Sequence, residues 1–199
     1  SFTKEEAFRE VQKKLKELRE AVEAGGVKFM YAENYIYTPS IQRSLEFLNA
    51  QNSRILFMRA EESHNGSHAA LWKCSGGGSF IRQGCHPLSA VLYLKEQEAE
   101  KRGEEIRVTS VMADMGNVSG VLNEEELAFI ETRAVDVEDL ANVLLTFSDG
   151  SRAVIMAGDM VVGGVKNLVE IYTNKSVYYC NMAATDGLRA YHDQAQGLE

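Results

Sequence analysis

Proline is nearly absent from this chain, cysteine is scarce, and tryptophan occurs once. The two prolines, Pro39 and Pro87, stand at the heads of helical patterns, where a missing backbone N–H is no loss. The three cysteines, Cys74, Cys85 and Cys180, are odd in number and lack CxxC spacing. That excludes a disulfide framework and suits reduced thiols in a cytoplasm. No cluster of Lys and Arg offsets the net charge of −8, so nucleic acid is excluded as a partner. No apolar run reaches the length of a membrane span, and the N-terminus is a charged amphipathic segment rather than a signal peptide. A dinucleotide cradle is missing too. Gly76-Gly77-Gly78 lacks a third glycine at the offset that G-x-G-x-x-G requires, and Gly163-Gly164 stands alone.

What remains is 199 residues at 45% hydrophobic content, enough for one domain with a real core. Thr3 with Glu6 forms a capping-box pattern, and Phe8, Val11, Leu15, Leu18 and Val22 keep a helical stripe until Gly25-Gly26 stops it. Val27 to Tyr37, rich in aromatic and β-branched residues, reads as a strand. A second helix follows Thr38-Pro39 with Ile41, Leu45 and Leu48 inward. Arg54 to Glu61 and Ile106 to Ala113 read as strands, Lys95 to Glu105 as a solvated helix end and loop, and Glu124 to Ile130 as a short helix. Two hairpins come next. Val143 to Phe147 and Arg152 to Ala157 flank Asp149-Gly150, and Leu168 to Tyr172 and Ser176 to Asn181 flank Thr173-Asn174-Lys175. The expected fold class is α+β, a mainly antiparallel open sheet with helices on one face. Thr185 to Glu199 is weakly patterned.

The segment Ser75 to Leu94 is the place to look for chemistry. Three glycines let a ligand or a neighbouring element approach the backbone closely. Phe80, Ile81 and Gly84, then Leu88, Val91 and Leu92, predict a short helical turn followed by an amphipathic helix begun by Pro87, with Arg82 and His86 four apart on one face. His86 is placed for proton transfer near neutral pH. The same pattern also suits tightly packed glycines with His86 as a helix cap. Upstream, His64 and His68 are four apart, but Gly66 breaks the helical case and no third ligand follows, so no metal site is expected. The polar loop and Trp72 fit the lining of a pocket for a hydroxylated substrate, or a surface loop whose tryptophan is core.

Taken together, His64-Asn65-Gly66-Ser67-His68, Leu71-Trp72, Gly76-Gly77-Gly78 and Gly84-Cys85-His86 resemble the C-terminal domain of the Gfo/Idh/MocA family of NAD(P)-dependent oxidoreductases, over about Val27 to Asn181. The resemblance implies that His86 is the catalytic acid or base; from their residue chemistry, His64, His68, Trp72 and Arg82 are read as substrate-binding. The family residue four before the histidine is commonly Asp. Arg82 stands there instead, able to clamp an anion but not to shuttle protons. The family's Glu-Lys-Pro motif is also absent. Residues 1–26 are accordingly read as the end of a crossover from a preceding nucleotide-binding domain, and residues 27–199 as a C-terminal α+β domain cut short at its end.

The implied function is the substrate-binding and dimerisation domain of an NAD(P)-dependent oxidoreductase acting on a secondary hydroxyl of a sugar, inositol or related polyol. NAD or NADP would serve the full-length protein, whereas this chain alone is expected to bind neither and to be inactive. Its partners are a small polyol or sugar and, through the sheet, a second copy in a homodimer or higher oligomer, with no membrane involved. The alternative is a non-catalytic binding or scaffold protein that retains the fold.

Overall fold

A computed structural model describes residues 3–66, 77–131, 133–162, 164–183 and 187–192. His68 and Trp72, both expected at the site, lie outside the described residues, as do Cys74 and Gly76. The chain forms two compact units, Ser1–Ala32 and Glu33–Glu199.

The first unit holds helix α1, Lys4–Gly25. Its capping box forms as the sequence predicts: Glu6 N donates to Thr3 Oγ1 at 3.2 Å, and Thr3 N to the Glu6 carboxylate at 2.8 Å. Gly26 ends it in the left-handed region, at φ 59°.

The second unit is a seven-stranded sheet carrying helices. Its strands are β1 (Ile55–Ser63), β2 (Val108–Gly116), β3 (Leu140–Phe147), β4 (Arg152–Gly158), β5 (Lys166–Thr173), β6 (Ser176–Asn181) and β7 (Leu188–His192). The order is β2-β3-β4-β1-β5-β6-β7, antiparallel throughout except where β1 lies parallel to β4. Both predicted hairpins form, and Gly150 turns the first at φ 89°. The fold is α+β, as expected.

Residues paired across strands share a face, so the register lays buried rows across the sheet. One row reads Leu145, Ala153, Met58, Ile171, Tyr178, Ala190, and the next Val143, Ile155, Ala60, Val169, Cys180. Helix α2 (Pro39–Gln51) adds Ile41, Leu45 and Leu48 to this core, and α3 (Cys85–Arg102) adds Ala90, Val91 and Leu94. The following row is Ala141, Ala157, Glu62, Asn167. Apart from Met182, whose N–H bonds Asn167 O, buried apolar bulk stops there, and small or polar residues take its place. The opposite face mixes apolar Val154, Met156 and Leu168 with Arg59, Glu61 and Glu170.

Three expectations need correction. Residues 27–34 form no strand, and Tyr35–Tyr37 is a 3₁₀ turn closed by Tyr37 N on Asn34 O at 3.0 Å. The aromatic composition of that segment carries no sheet partner with it. Lys95 to Arg102 belongs to α3, and Lys95 and Glu98 are buried there, because Lys95 Nζ bonds both Glu98 and, at 2.8 Å, Asp149. Finally, the weakly patterned tail holds β7, whose pairing with β6 supplies the order its side-chain pattern does not announce. No helix among the described residues is long and apolar enough to cross a membrane.

Candidate functional site

The polar row of the sheet faces the start of α3. The chain enters this helix through one π-helical turn, Phe80–Gly84, a wider winding often found where a helix bears function. Two glycines dictate the approach. A Cβ on Gly78 would lie 1.9 Å from the Glu138 carboxylate, which accepts the Phe80 N–H at 3.0 Å, and a Cβ on Gly84 would lie 2.5 Å from the Phe80 ring. The glycine signal in the sequence therefore reports close packing against neighbouring groups.

Arg82 and His86 share the turn but meet different partners. The Arg82 guanidinium, 11% exposed, bonds both oxygens of Asp159, itself 2% exposed, and its Nε donates to Gly77 O at 3.2 Å. Gln83 donates to the same carboxylate. Burial lowers the arginine's pKa, with Glu138 opposing, yet a guanidinium so placed stays charged. The group expected to clamp a substrate anion is thus engaged within the protein.

His86 is the more open of the two, at 27% exposed, and its Nδ1 lies 2.8 Å from Glu33 Oε2. The other Glu33 oxygen accepts the Tyr35 N–H at 3.0 Å, and the Tyr35 ring packs against the imidazole with centroids 4.4 Å apart. Glu33 is only 6% exposed. Close by, burial pushes Glu62 up to about 7, a shift the Glu33 charge reinforces and His86 opposes. Asn167 Nδ2 donates to Glu62 at 3.2 Å. Burial, followed by the Glu62 charge, also raises Tyr35. A carboxyl near neutrality beside a histidine is the kind of paired environment in which protons move.

His64 leaves β1 two residues after Glu62, and its Nδ1 lies 2.8 Å from Gly66 O. Glu33, Cys85 and His86 place a carboxylate oxygen, a sulfur and a ring nitrogen within 4.8 Å of one another, a donor set that could take a divalent transition metal. Burial, then the Glu33 and Glu62 charges, raise the Cys85 thiol, which favours its protonated form in the free protein. Two clefts among the described residues lie away from this site, about 580 Å3 beside Leu92 and Arg107 and about 650 Å3 beside Tyr179 and Arg189. Chemistry rather than volume singles out the start of α3.

Glu33, Tyr35, Glu62, Asn167 and Asp159 escaped sequence reasoning. Two of them left a signal. Glu33 is the sole acidic residue between Val27 and Tyr37, and Glu62 occupies the inward register of Met58 and Ala60, where alternation calls for an apolar side chain.

The structure is similar to several solved oxidoreductases. An NAD-binding oxidoreductase from Klebsiella pneumoniae aligns at TM-score 0.68 and 20% identity, over 92% of this chain and 49% of its own. An inositol dehydrogenase homolog from Azotobacter vinelandii, complexed with NADH and myo-inositol, aligns at 0.70 and 16%, over 92% and 45%. The UDP-N-acetylglucosamine 3-dehydrogenase GnnA from Acidithiobacillus ferrooxidans aligns at 0.64 and 15%, over 92% and 50%. The chain thus spans about half the length of these proteins, and identities this low speak for the fold. No curated protein matches the sequence. The GFO/IDH/MocA C-terminal domain matches residues 13–179. With most of its length inside that match and the same fold around it, the chain belongs to the GFO/IDH/MocA family, of which it represents the C-terminal domain.

Proposed function

We propose that this chain is the substrate-binding and oligomerisation domain of a cytoplasmic NAD(P)-dependent oxidoreductase acting on a secondary hydroxyl of a sugar, inositol or related polyol. The observation that carries the reading is the half-open His86 imidazole, fixed by Glu33 and Tyr35 beside the Glu62 carboxyl. Support for the substrate class comes from the myo-inositol-bound Azotobacter homolog and the UDP-N-acetylglucosamine 3-dehydrogenase. His86 exchanges the hydroxyl proton. His64, His68 and Trp72 bind the substrate, and Arg82, through Asp159, holds the turn that presents His86.

The dinucleotide, when bound, supplies the hydride acceptor. The glycines described here do not fit its pyrophosphate: Gly78 faces the Glu138 carboxylate and Gly84 the Phe80 ring. A nucleotide site is therefore assigned to another part of the protein, and this chain by itself binds neither NAD nor NADP. The open sheet face, with Val154, Met156 and Leu168, is assigned to a second copy of the chain.

The test is oxidation of a panel of polyols, inositols and sugars by the full-length protein with NAD or NADP, followed as reduced nicotinamide. Turnover of at least one neutral polyol is expected. Polyol binding without reduction of either cofactor would instead support a non-catalytic binding or scaffold protein, the reading that Arg82 at the usual Asp position favours.

A further inference from the structure

We propose that Glu33 is the positioning carboxylate of His86, supplied across the fold because the residue one turn before the histidine cannot serve. This rests on the reading of His86 as acid or base. Position 82 carries a guanidinium, which only donates hydrogen bonds and is already held by Asp159 and Gly77 O. Glu33, 53 residues away in sequence, brings Oε2 to 2.8 Å from His86 Nδ1.

An ionised carboxylate only accepts, so in the neutral imidazole this bond places the one proton on Nδ1 and leaves Nε2 bare. Nε2 is then the atom that takes the substrate's hydroxyl proton. The O–H bond breaks, an N–H bond forms, and the new positive charge sits beside Glu33. The oxidised nicotinamide dinucleotide named above, when bound, would accept the hydride released as the substrate's carbinol C–H bond breaks. One short turn fixes the whole arrangement, since Tyr35 N anchors the second Glu33 oxygen at 3.0 Å and the Tyr35 ring holds the imidazole's tilt. The other nearby carboxyl, Glu62, is tied instead to Asn167. Glu33 thus acts on the substrate only through the ring.

Nitrogen-15 NMR of the His86 ring at mildly alkaline pH, with neither substrate nor cofactor present, tests the pairing directly. The unmodified protein is expected to show a protonated Nδ1 and a bare Nε2. In Glu33→Met, which keeps length but cannot accept, the proton should move to Nε2, the tautomer free imidazole side chains prefer, whereas Glu33→Asp should keep it on Nδ1. A bare Nδ1 in the unmodified protein overturns the proposal whether or not the variants fold. In the active full-length enzyme, Glu33→Met should lower kcat by about tenfold to a hundredfold with little change in KM, as loss of a residue orienting a reactive group does. A raised KM with unchanged kcat would overturn the positioning role. If the tautomer responds as expected but no polyol is oxidised with either cofactor, the pairing stands and the proposed function falls.

Discussion

Near the C-terminal end of α3, Lys95 reaches Glu98 and Asp149, Arg102 lies 3.4 Å from Glu98, and Arg54 forks onto Glu104. Cation answers anion throughout. Near the N-terminal end, Arg82 answers Asp159, but Glu33 and Glu62 share one histidine between them. Four buried side-chain nitrogen or oxygen atoms lack a hydrogen-bond partner among the described residues, and three of them, on Ser63, Gln83 and Asn167, belong to this second region. The fourth, Arg102 Nε, lies beside the Glu98 carboxylate. Titration separates the ends as well. Asp149 is pushed up by burial but held at about 2 by bonds from Lys95 and Ser151, whereas burial leaves Glu62 at about 7. The same helix therefore carries one charge cluster organised for stability and one left with excess carboxyl and unmatched polar groups, as sites that handle ligands or protons tend to be.

Breaking the stable end should cost most. Lys95→Ala takes the cation from Asp149 and leaves the buried Glu98 carboxylate only Arg102, and urea denaturation is expected to show about 3–5 kcal/mol of lost stability, with turnover per folded molecule unchanged in the full-length enzyme. Arg82→Ala takes from the buried Asp159 carboxylate its guanidinium, leaving the Gln83 amide on it, and should cost about 3 kcal/mol; here, unlike with Lys95, turnover should fall too, because the turn bearing His86 loosens.

The Glu62 carboxyl sharpens the contrast with a sign. Its folded pKa stands above the ordinary 4.5, so the native state holds more protons than the unfolded chain between about 4.5 and 7. Stability from this group accordingly falls as pH rises through that window. Glu62→Gln should flatten the fall and raise stability above pH 7 by about 1 kcal/mol, measured as melting temperature against pH. Asp149 runs the other way. Its contribution is present above 3.8 and is lost as pH drops toward 2. Ser151→Ala, which removes the hydroxyl's bond to Asp149 and keeps the backbone N–H bond, should be the mildest change, about 0.5–1 kcal/mol, visible as an acid midpoint shifted to higher pH.

Much of the scaffold was legible in the sequence, because hairpins and amphipathic helices announce themselves within short windows. Asp149-Gly150 marked its turn, and Ile41, Leu45 and Leu48 marked the buried face of α2. The failures share a cause in long-range pairing. Residues 27–34 have strand composition but no strand partner among the described residues, β7 has a partner but no strand pattern, and Lys95 looks solvated until Asp149 arrives from 54 residues away. The site divides in the same way. His86 was indicated by its spacing after the glycines and by the family's landmarks, but nothing local tied it to Glu33, or Arg82 to Asp159 across 77 residues. A one-dimensional pattern can nominate a reactive residue, while its partner is chosen by the fold.

The central claim, that the start of α3 is where the proton moves, is tested most directly by the turnover of His86→Ala in the full-length protein on whichever polyol it oxidises, with melting temperature followed in parallel. A fall of about a hundredfold or more at nearly unchanged melting temperature and cofactor affinity is the predicted result. Unchanged turnover in a stably folded His86→Ala protein would contradict the account and return His86 to the role of a packed helix-start residue.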